Sequence, residues 1–198
     1  AVGRYALNAN TTGTQNVAVG ACALDANIGA ANNTAVGFCT LSSNTTGTQS
    51  TALGSCALKS ATTANYNVAI GCAALECNTS GTANIAVGLE ALTANTTGAE
   101  NVAVGSTAMT SNTEGDDNTA VGKSALYTNT TGDNNTAMGR GALGVNTTAS
   151  NNSAFGCGAL VANTTGTVNT AVGKSALSAN TTAACNTAVG TASLANTT

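Results

Sequence analysis

Asn16-Val17-Ala18-Val19-Gly20-Ala21-Cys22-Ala23-Leu24 is followed 17 residues later by Asn33-Thr34-Ala35-Val36-Gly37-Phe38-Cys39-Thr40-Leu41, identical at six of nine places. The echo continues along the whole chain. Gly3, Gly20, Gly37, Gly54, Gly71, Gly88, Gly105, Gly122, Gly139, Gly156, Gly173 and Gly190 fall 17 apart at every step, with no insertion between them. Ala stands two places before each of these glycines, and Leu four places after it in eleven of the twelve units, Met109 being the exception. Only at Ala195-Asn196 does the register slip, by one residue. Strict self-similarity at a fixed short period marks a repeat architecture rather than a disordered tract.

Residue types choose the kind of repeat. Helical repeats need about 30 or more residues and good helix formers, whereas each unit here carries Gly, Asn and Thr, which weaken helices. At about 3.3 Å per extended residue, 17 residues close a coil of roughly 55 Å, room for two or three short strands and their corners. The pattern therefore predicts an all-β, parallel β-solenoid (β-roll) of twelve coils, a single array over 1–198, about 58 Å long at roughly 4.8 Å per coil. In it, the Gly after Val turns one corner with positive φ. The second Gly (Gly13, Gly47, Gly81, Gly98, Gly115, Gly132, Gly166) turns the opposite one within Asn-Thr-Thr-Gly. Asn recurs before the strand (Asn16, Asn33, Asn67, Asn84) and at the second corner (Asn10, Asn27, Asn44, Asn78), so amides can bond their equals one coil away, as in stacked Asn ladders. The Leu column fills the roll at about 1.5 to 3 kcal/mol per side chain.

Composition narrows function. Only 3% of the residues are aromatic and 7% charged, against about 25% charged in ordinary soluble domains, and the net charge is -3. Neither a nucleic-acid groove nor an anionic-membrane patch is supplied. No apolar run approaches the roughly 18 residues of a membrane span, so no membrane insertion is expected of this segment. The first residues lack the layout of a signal peptide. The start at Ala1-Val2-Gly3 and the end at Asn196-Thr197-Thr198 both fall inside a unit, without a polar capping repeat. This suggests an excerpt of a longer fibre, or an array that stacks on itself.

Within Asn-Thr-Ala-Val-Gly, Ala faces one side of the strand and its neighbours the other. If Ala and Leu fill a thin roll, the residue before each Gly points outward: Val19, Val36, Leu53, Ile70, Val87, Val104, Val121, Met138, Phe155, Val172 and Val189. An apolar stripe of that length calls for cover by another chain. The opposite assignment, with Val inside and Ala facing water, is also open.

NVAVGACAL (Asn16 to Leu24), NIAVGLEAL (Asn84 to Leu92) and NTAVGKSAL (Asn169 to Leu177) resemble the head repeats of trimeric autotransporter adhesins and similar repeats of phage tail fibres. The resemblance covers essentially the whole chain, although the Asn-Thr-Thr-Gly corner makes this unit longer than the usual adhesin head repeat. It implies left-handed rolls in a homotrimer, the Val-Gly strand facing the threefold axis, in an extracellular, cell-surface or virion setting where a host-surface ligand is the partner. The expected function is a non-catalytic structural rod segment of a fibre or adhesin. Two alternatives stay open. A self-stacking, amyloid-like matrix filament would use the uncapped ends. An ice-binding solenoid would use the Thr that follows the corner Asn in eleven of twelve coils, although adjacent Thr side chains face opposite ways and only one rank per pair can be exposed.

With no His in the chain, Ser-His and Cys-His catalysis and imidazole metal sites are excluded, and no cofactor is expected. Cys22, Cys39 and Cys56 share one column in three successive coils, with Cys72 beside them, close enough for a thiol ladder, a disulfide or a soft metal ion. A plain stack of small surface side chains fits equally, since Tyr5, Glu90, Thr107 and Ser124 occupy the same column. Cys77, Cys157 and Cys185 are scattered, and seven thiols leave at least one unpaired. Glu100, Glu114, Asp116, Asp117 and Asp133 gather at one corner, which either stays solvated or takes a hard cation such as Ca²⁺. No Asp-x-Asp-x-Asp-Gly loop accompanies them. Lys123 and Arg140, stacked at the first corner, read as a solvated pair.

Overall fold

A computed structural model of the chain describes residues 1–196; Thr197 and Thr198, with which the array is read to end, lie outside the described residues. Eleven strands of three residues each, from β1 (Val17–Val19) through β6 (Val102–Val104) to β11 (Thr187–Val189), form one parallel sheet in sequence order. Each strand residue pairs with its counterpart 17 positions on, as Val17 with Thr34, Ala18 with Ala35 and Val19 with Val36. The first coil joins through a single bridge, Val2 to Val19. The chain is thus a β-solenoid of stacked 17-residue coils, without a helix among the described residues.

One strand per coil, rather than two or three, is the first departure from expectation. The rest of the coil is a succession of turns whose backbone still bonds from coil to coil, as Leu24 N–H to Thr40 C=O (3.1 Å) and Thr79 N–H to Thr96 C=O (3.0 Å). Stacking therefore satisfies the backbone where φ and ψ do not allow strand geometry.

The core is thin and regular. Strand Ala (Ala18, Ala35, Ala52), post-corner Ala (Ala23, Ala57, Ala74) and the Leu column (Leu24, Leu41, Leu58) are buried. Met109 takes the Leu place in one coil, a volume-conserving exchange that a close-packed interior tolerates.

Beside this apolar slab runs a buried polar one. At the second corner, Asn27 Nδ2 donates to Asn10 Oδ1 (2.7 Å), Asn112 to Asn95 (2.9 Å) and Asn129 to Asn112 (2.8 Å). Each such amide also reaches the carbonyl three residues ahead, as Asn95 Nδ2 to Gly98 C=O (2.8 Å). The column before the strand works differently from expectation: its Oδ1 accepts the next column member's backbone N–H, as Asn84 N–H to Asn67 Oδ1 (2.9 Å). Its Nδ2 donates to a corner carbonyl, as Asn84 to Gly98 C=O (2.8 Å). Side-chain-to-side-chain bonds in this column occur toward the C-terminal half, for example Asn135 Nδ2 to Asn118 Oδ1 (3.1 Å).

The corners are built from more than glycine. The Gly after Val holds φ between 122° and 143°, and a Cβ on Gly122 would sit 2.8 Å from the carbonyl carbon of Gly139 one coil on, so both conformation and space demand glycine there. The second Gly is not in the left-handed region. A Cβ at Gly98 would lie 2.6 Å from the Gly115 carbonyl oxygen and 3.0 Å from Asn112 Nδ2, so close approach to the next coil and to the Asn ladder explains it. Ala nevertheless fills this place in four coils, at Ala30, Ala64, Ala149 and Ala183. Left-handed conformations instead fall on non-glycine residues at three places per coil, for instance Cys22 (φ 57°), Leu24 (φ 52°) and Asn32 (φ 62°). Such residues cost about 1 to 2 kcal/mol each. Inter-coil bonds hold them, Cys22 N–H to Arg4 C=O (2.9 Å) and Asn32 N–H to Thr14 C=O (3.1 Å).

Candidate interaction face

The strand burial pattern settles which side faces out. Every strand has its Ala buried and its two flanking residues exposed or half-exposed, so Ala is inside and the Val-type column is outside. Exposure reaches 40% at Val19, 45% at Leu53 and 41% at Met138, large values for apolar side chains on a regular sheet.

Two columns make the face. The residue before Gly is Val, Leu, Ile, Met or Phe in every coil; the residue two places earlier is Val, Ile, Thr or Ser, from Val17 and Thr34 to Thr187. Neither column holds a charge in any coil. The two are 6 to 7 Å apart along the strand by ordinary strand geometry, and they recur at about 4.8 Å along the rod. The result is a flat, ribbed, uncharged surface running the length of the sheet.

The other singled-out residues sort as follows. Cys22, Cys39 and Cys56 are half-buried free thiols, and they do lie together. Burial pushes the Cys39 thiol up from its ordinary value, the neighbouring Cys22 and Cys56 push it further, and a hydrogen bond with Cys22 acts in the same sense, while Lys59 opposes. Because the thiolate is the reactive form, Cys39 is expected to alkylate more slowly at neutral pH than exposed Cys72, with the gap narrowing as pH rises. Mass-spectrometric mapping of iodoacetamide uptake checks this; equal rates at neutral pH contradict a raised Cys39 thiol.

At the acidic corner two of the five carboxylates are engaged with backbone. Asp116 Oδ1 accepts the N–H of Ala99 (2.7 Å) and Asp133 Oδ1 that of Asp116 (2.8 Å), each one coil below. Glu100, Glu114 and Asp117 are exposed. Among the described residues, no three Cys, Asp or Glu side chains converge as a metal site. The acidic residues thus include two that act as coil-to-coil staples, in the column where Asn65 Oδ1 serves the Thr48 N–H (2.7 Å).

The Thr pairs divide their work as alternation requires. The first Thr bonds its hydroxyl to a carbonyl one coil on, as Thr79 Oγ1 to Thr96 C=O (3.0 Å) and Thr130 Oγ1 to Thr147 C=O (3.1 Å). The same carbonyl at Thr96 also receives the N–H groups of Thr79, Ser80 and Gly81 at 3.0 to 3.4 Å. The second Thr, at Thr46, Thr63, Thr97, Thr131, Thr148 and Thr165, is exposed, but Gly29, Ser80 and Glu114 interrupt that rank.

No described helix is long and apolar enough to cross a membrane. Searches against protein-family models, curated proteins and solved structures find no match to this chain.

Proposed function

We propose that the chain is a non-catalytic rod segment of an extracellular or virion fibre or adhesin. In this reading it assembles as a homotrimer through the strand face, with the residues before each Gly at the chain-to-chain contact. The observation that carries the reading is the uncharged, exposed apolar face along all eleven strands. Its ribs repeat at the coil rise, and a second copy of the same solenoid keeps that period over the full length. Eleven coils at about 4.8 Å and a width of about 10 Å give on the order of 500 Å² per copy, or about 1,500 Å² over the three contacts of a closed trimer. Two outward columns per strand also suit closure about an axis, one column for each neighbour. Host ligands of such a rod sit wherever its other surfaces and its tip present them.

The test is the assembly state. Val87→Asp together with Val104→Asp places two charges on the face of adjacent coils without touching the core. Multi-angle light scattering is expected to show three chain masses for the parent and one for the variant, with circular dichroism unchanged. An unchanged mass sinks the interface. An open-ended series of masses would support a self-stacking filament, and a monomeric parent with a free Thr rank would support ice binding.

A further inference from the structure

Two glycines open a cavity that the fold does not require. In ten of the twelve coils the second residue after the corner Gly carries a side chain at φ of about +51° to +61°, including Cys22, Glu90, Thr107, Ser124 and Ser175. The two exceptions are consecutive, Gly141 and Gly158, whose φ of 66° and 65° are close to the conformation the others adopt with a side chain in place. Nor is space the reason. A Cβ on Gly141 would have nothing within 4 Å, and one on Gly158 only Ser175 Oγ at 3.8 Å. What the pair does is leave a half-open hollow of about 270 Å³ where the column's side chains would otherwise stand.

The rim of the hollow is cationic. Lys123 and Arg140, in the column just before the glycines, line it, with Ser124, Cys157 and Val161. Lys123, Arg140 and Lys174 are three of the chain's five cationic residues and fall in one column within four coils. No lining residue is acidic. Among the described residues the ion pair is Lys59 with Glu76 (3.5 Å), and neither Lys123 nor Arg140 joins one. The glycine N–H groups are already used, Gly141 to Lys123 C=O and Gly158 to Arg140 C=O, both at 3.0 Å, so recognition falls to side chains.

We propose that this hollow is a binding site for a single-ring carboxylate, of the kind presented by uronic-acid residues of acidic polysaccharides. The volume lies just under the usual range for ligand pockets and holds about one ring. A carboxylate between an ammonium and a guanidinium gains charge-assisted, directional bonds. The bare glycine backbone and Val161 give a C–H face of the ring a flat seat, and the Ser124 hydroxyl, 2.9 Å from that of Thr107, offers a polar edge for ring hydroxyls. Neither outward column of the sheet contributes a lining residue, so the site stands whether or not the rods associate.

Glucuronate is the probe, titrated into the intact rod and followed by NMR shifts or calorimetry, with glucose, benzoate and inorganic sulfate as comparison ligands. Glucuronate is expected to bind at least tenfold more tightly than each of the three. Arg140→Gln is expected to lose that advantage. Gly141→Ser and Gly158→Glu close the hollow with side chains that Ser124 and Glu90 already carry at the same place, so melting should hold while binding disappears. Equal binding by sulfate overturns recognition of the ring, equal binding by benzoate overturns the hydroxylated ring, and equal binding by glucose overturns the role of charge. Undiminished glucuronate binding in Gly158→Glu overturns the site.

Discussion

A single alanine inserted after Val104 is expected to break the rod where deletion of all 17 residues from Gly88 to Val104 leaves it whole. Each coil bonds to its neighbours at a constant offset: Val87 opposite Val104, Ala86 opposite Ala103, Leu92 N–H to Ala108 C=O (3.0 Å). Deleting one period joins Val87 to Gly105, and every column is regenerated across the junction, because stability in such arrays is close to a sum of nearest-neighbour terms. An extra residue instead shifts everything between it and the next coil, so that the corner glycine no longer lies over the Gly122 carbonyl, where only a glycine fits. Backbone groups left without partners there cost about 1 to 3 kcal/mol each. Circular dichroism melts of the two variants decide it: the deletion should melt within a few degrees of the parent, the insertion far below or in two steps. Equal stability would contradict stacking as the source of order.

Asn112→Ala is expected to lower stability by about 2 to 6 kcal/mol, because it removes two donations at once. Asn112 Nδ2 serves both Asn95 Oδ1 (2.9 Å) and Gly115 C=O (3.0 Å), and its Oδ1 accepts from Asn129 Nδ2 (2.8 Å), all within a buried column. The chain already contains the defect in natural form. At Ala61 the ladder has no amide, and Asn44 Oδ1 below it is buried without a hydrogen-bond partner. Ala61→Asn supplies a donor for Asn44 and an acceptor for Asn78, and is expected to add about 1 to 3 kcal/mol. Urea melts of both variants measure the two signs. A neutral Asn112→Ala would mean that the ladder is filler rather than support.

Period, strand position and core columns were legible because they are translational constraints: a solenoid repeats its Gly, Ala and Leu or it does not stack. Which face turns outward was not, since Ala and Val are both apolar and alternation alone is symmetric. Burial of Ala18 against exposure of Val19 resolved it in favour of the thin core. The left-handed residues were hidden for a different reason. Cys22, Leu24 and Gln15 carry no chemical mark of positive φ, and their conformation is set by the coils above and below. Traces did exist, in Asn32, Asn134 and Asn151 at one such column and in Gly141 and Gly158 at another, residue types that tolerate that region most readily. Lys123 and Arg140 read as a solvated pair from the sequence because the hollow beside them comes from absent side chains, which acquires meaning only once the ten filled coils give a standard for comparison.

The gap at Ala61 has a mechanical meaning. In the adjacent corner the strand-side column also changes chemistry, Ser50 standing where Asn stands elsewhere, with its hydroxyl accepting the Asn67 N–H at 3.2 Å. Both amide ladders are therefore interrupted around the same few coils, while from Asn78 to Asn180 one ladder runs unbroken through six consecutive bonds. A rod loaded in tension along its axis shares the force among the bonds crossing each seam, and between Asn44 and Ala61 none of the side-chain bonds joins one Asn to another: the Thr40 and Thr45 hydroxyls donate to the Gly54 and Thr62 carbonyls, while Asn65 Oδ1 and Ser50 Oγ accept the N–H groups of Thr48 and Asn67. Along its axis the molecule is a long segment carried by an amide ladder joined to a short one through hydroxyl and backbone partners, and that change of load-bearing chemistry is written in a single missing amide.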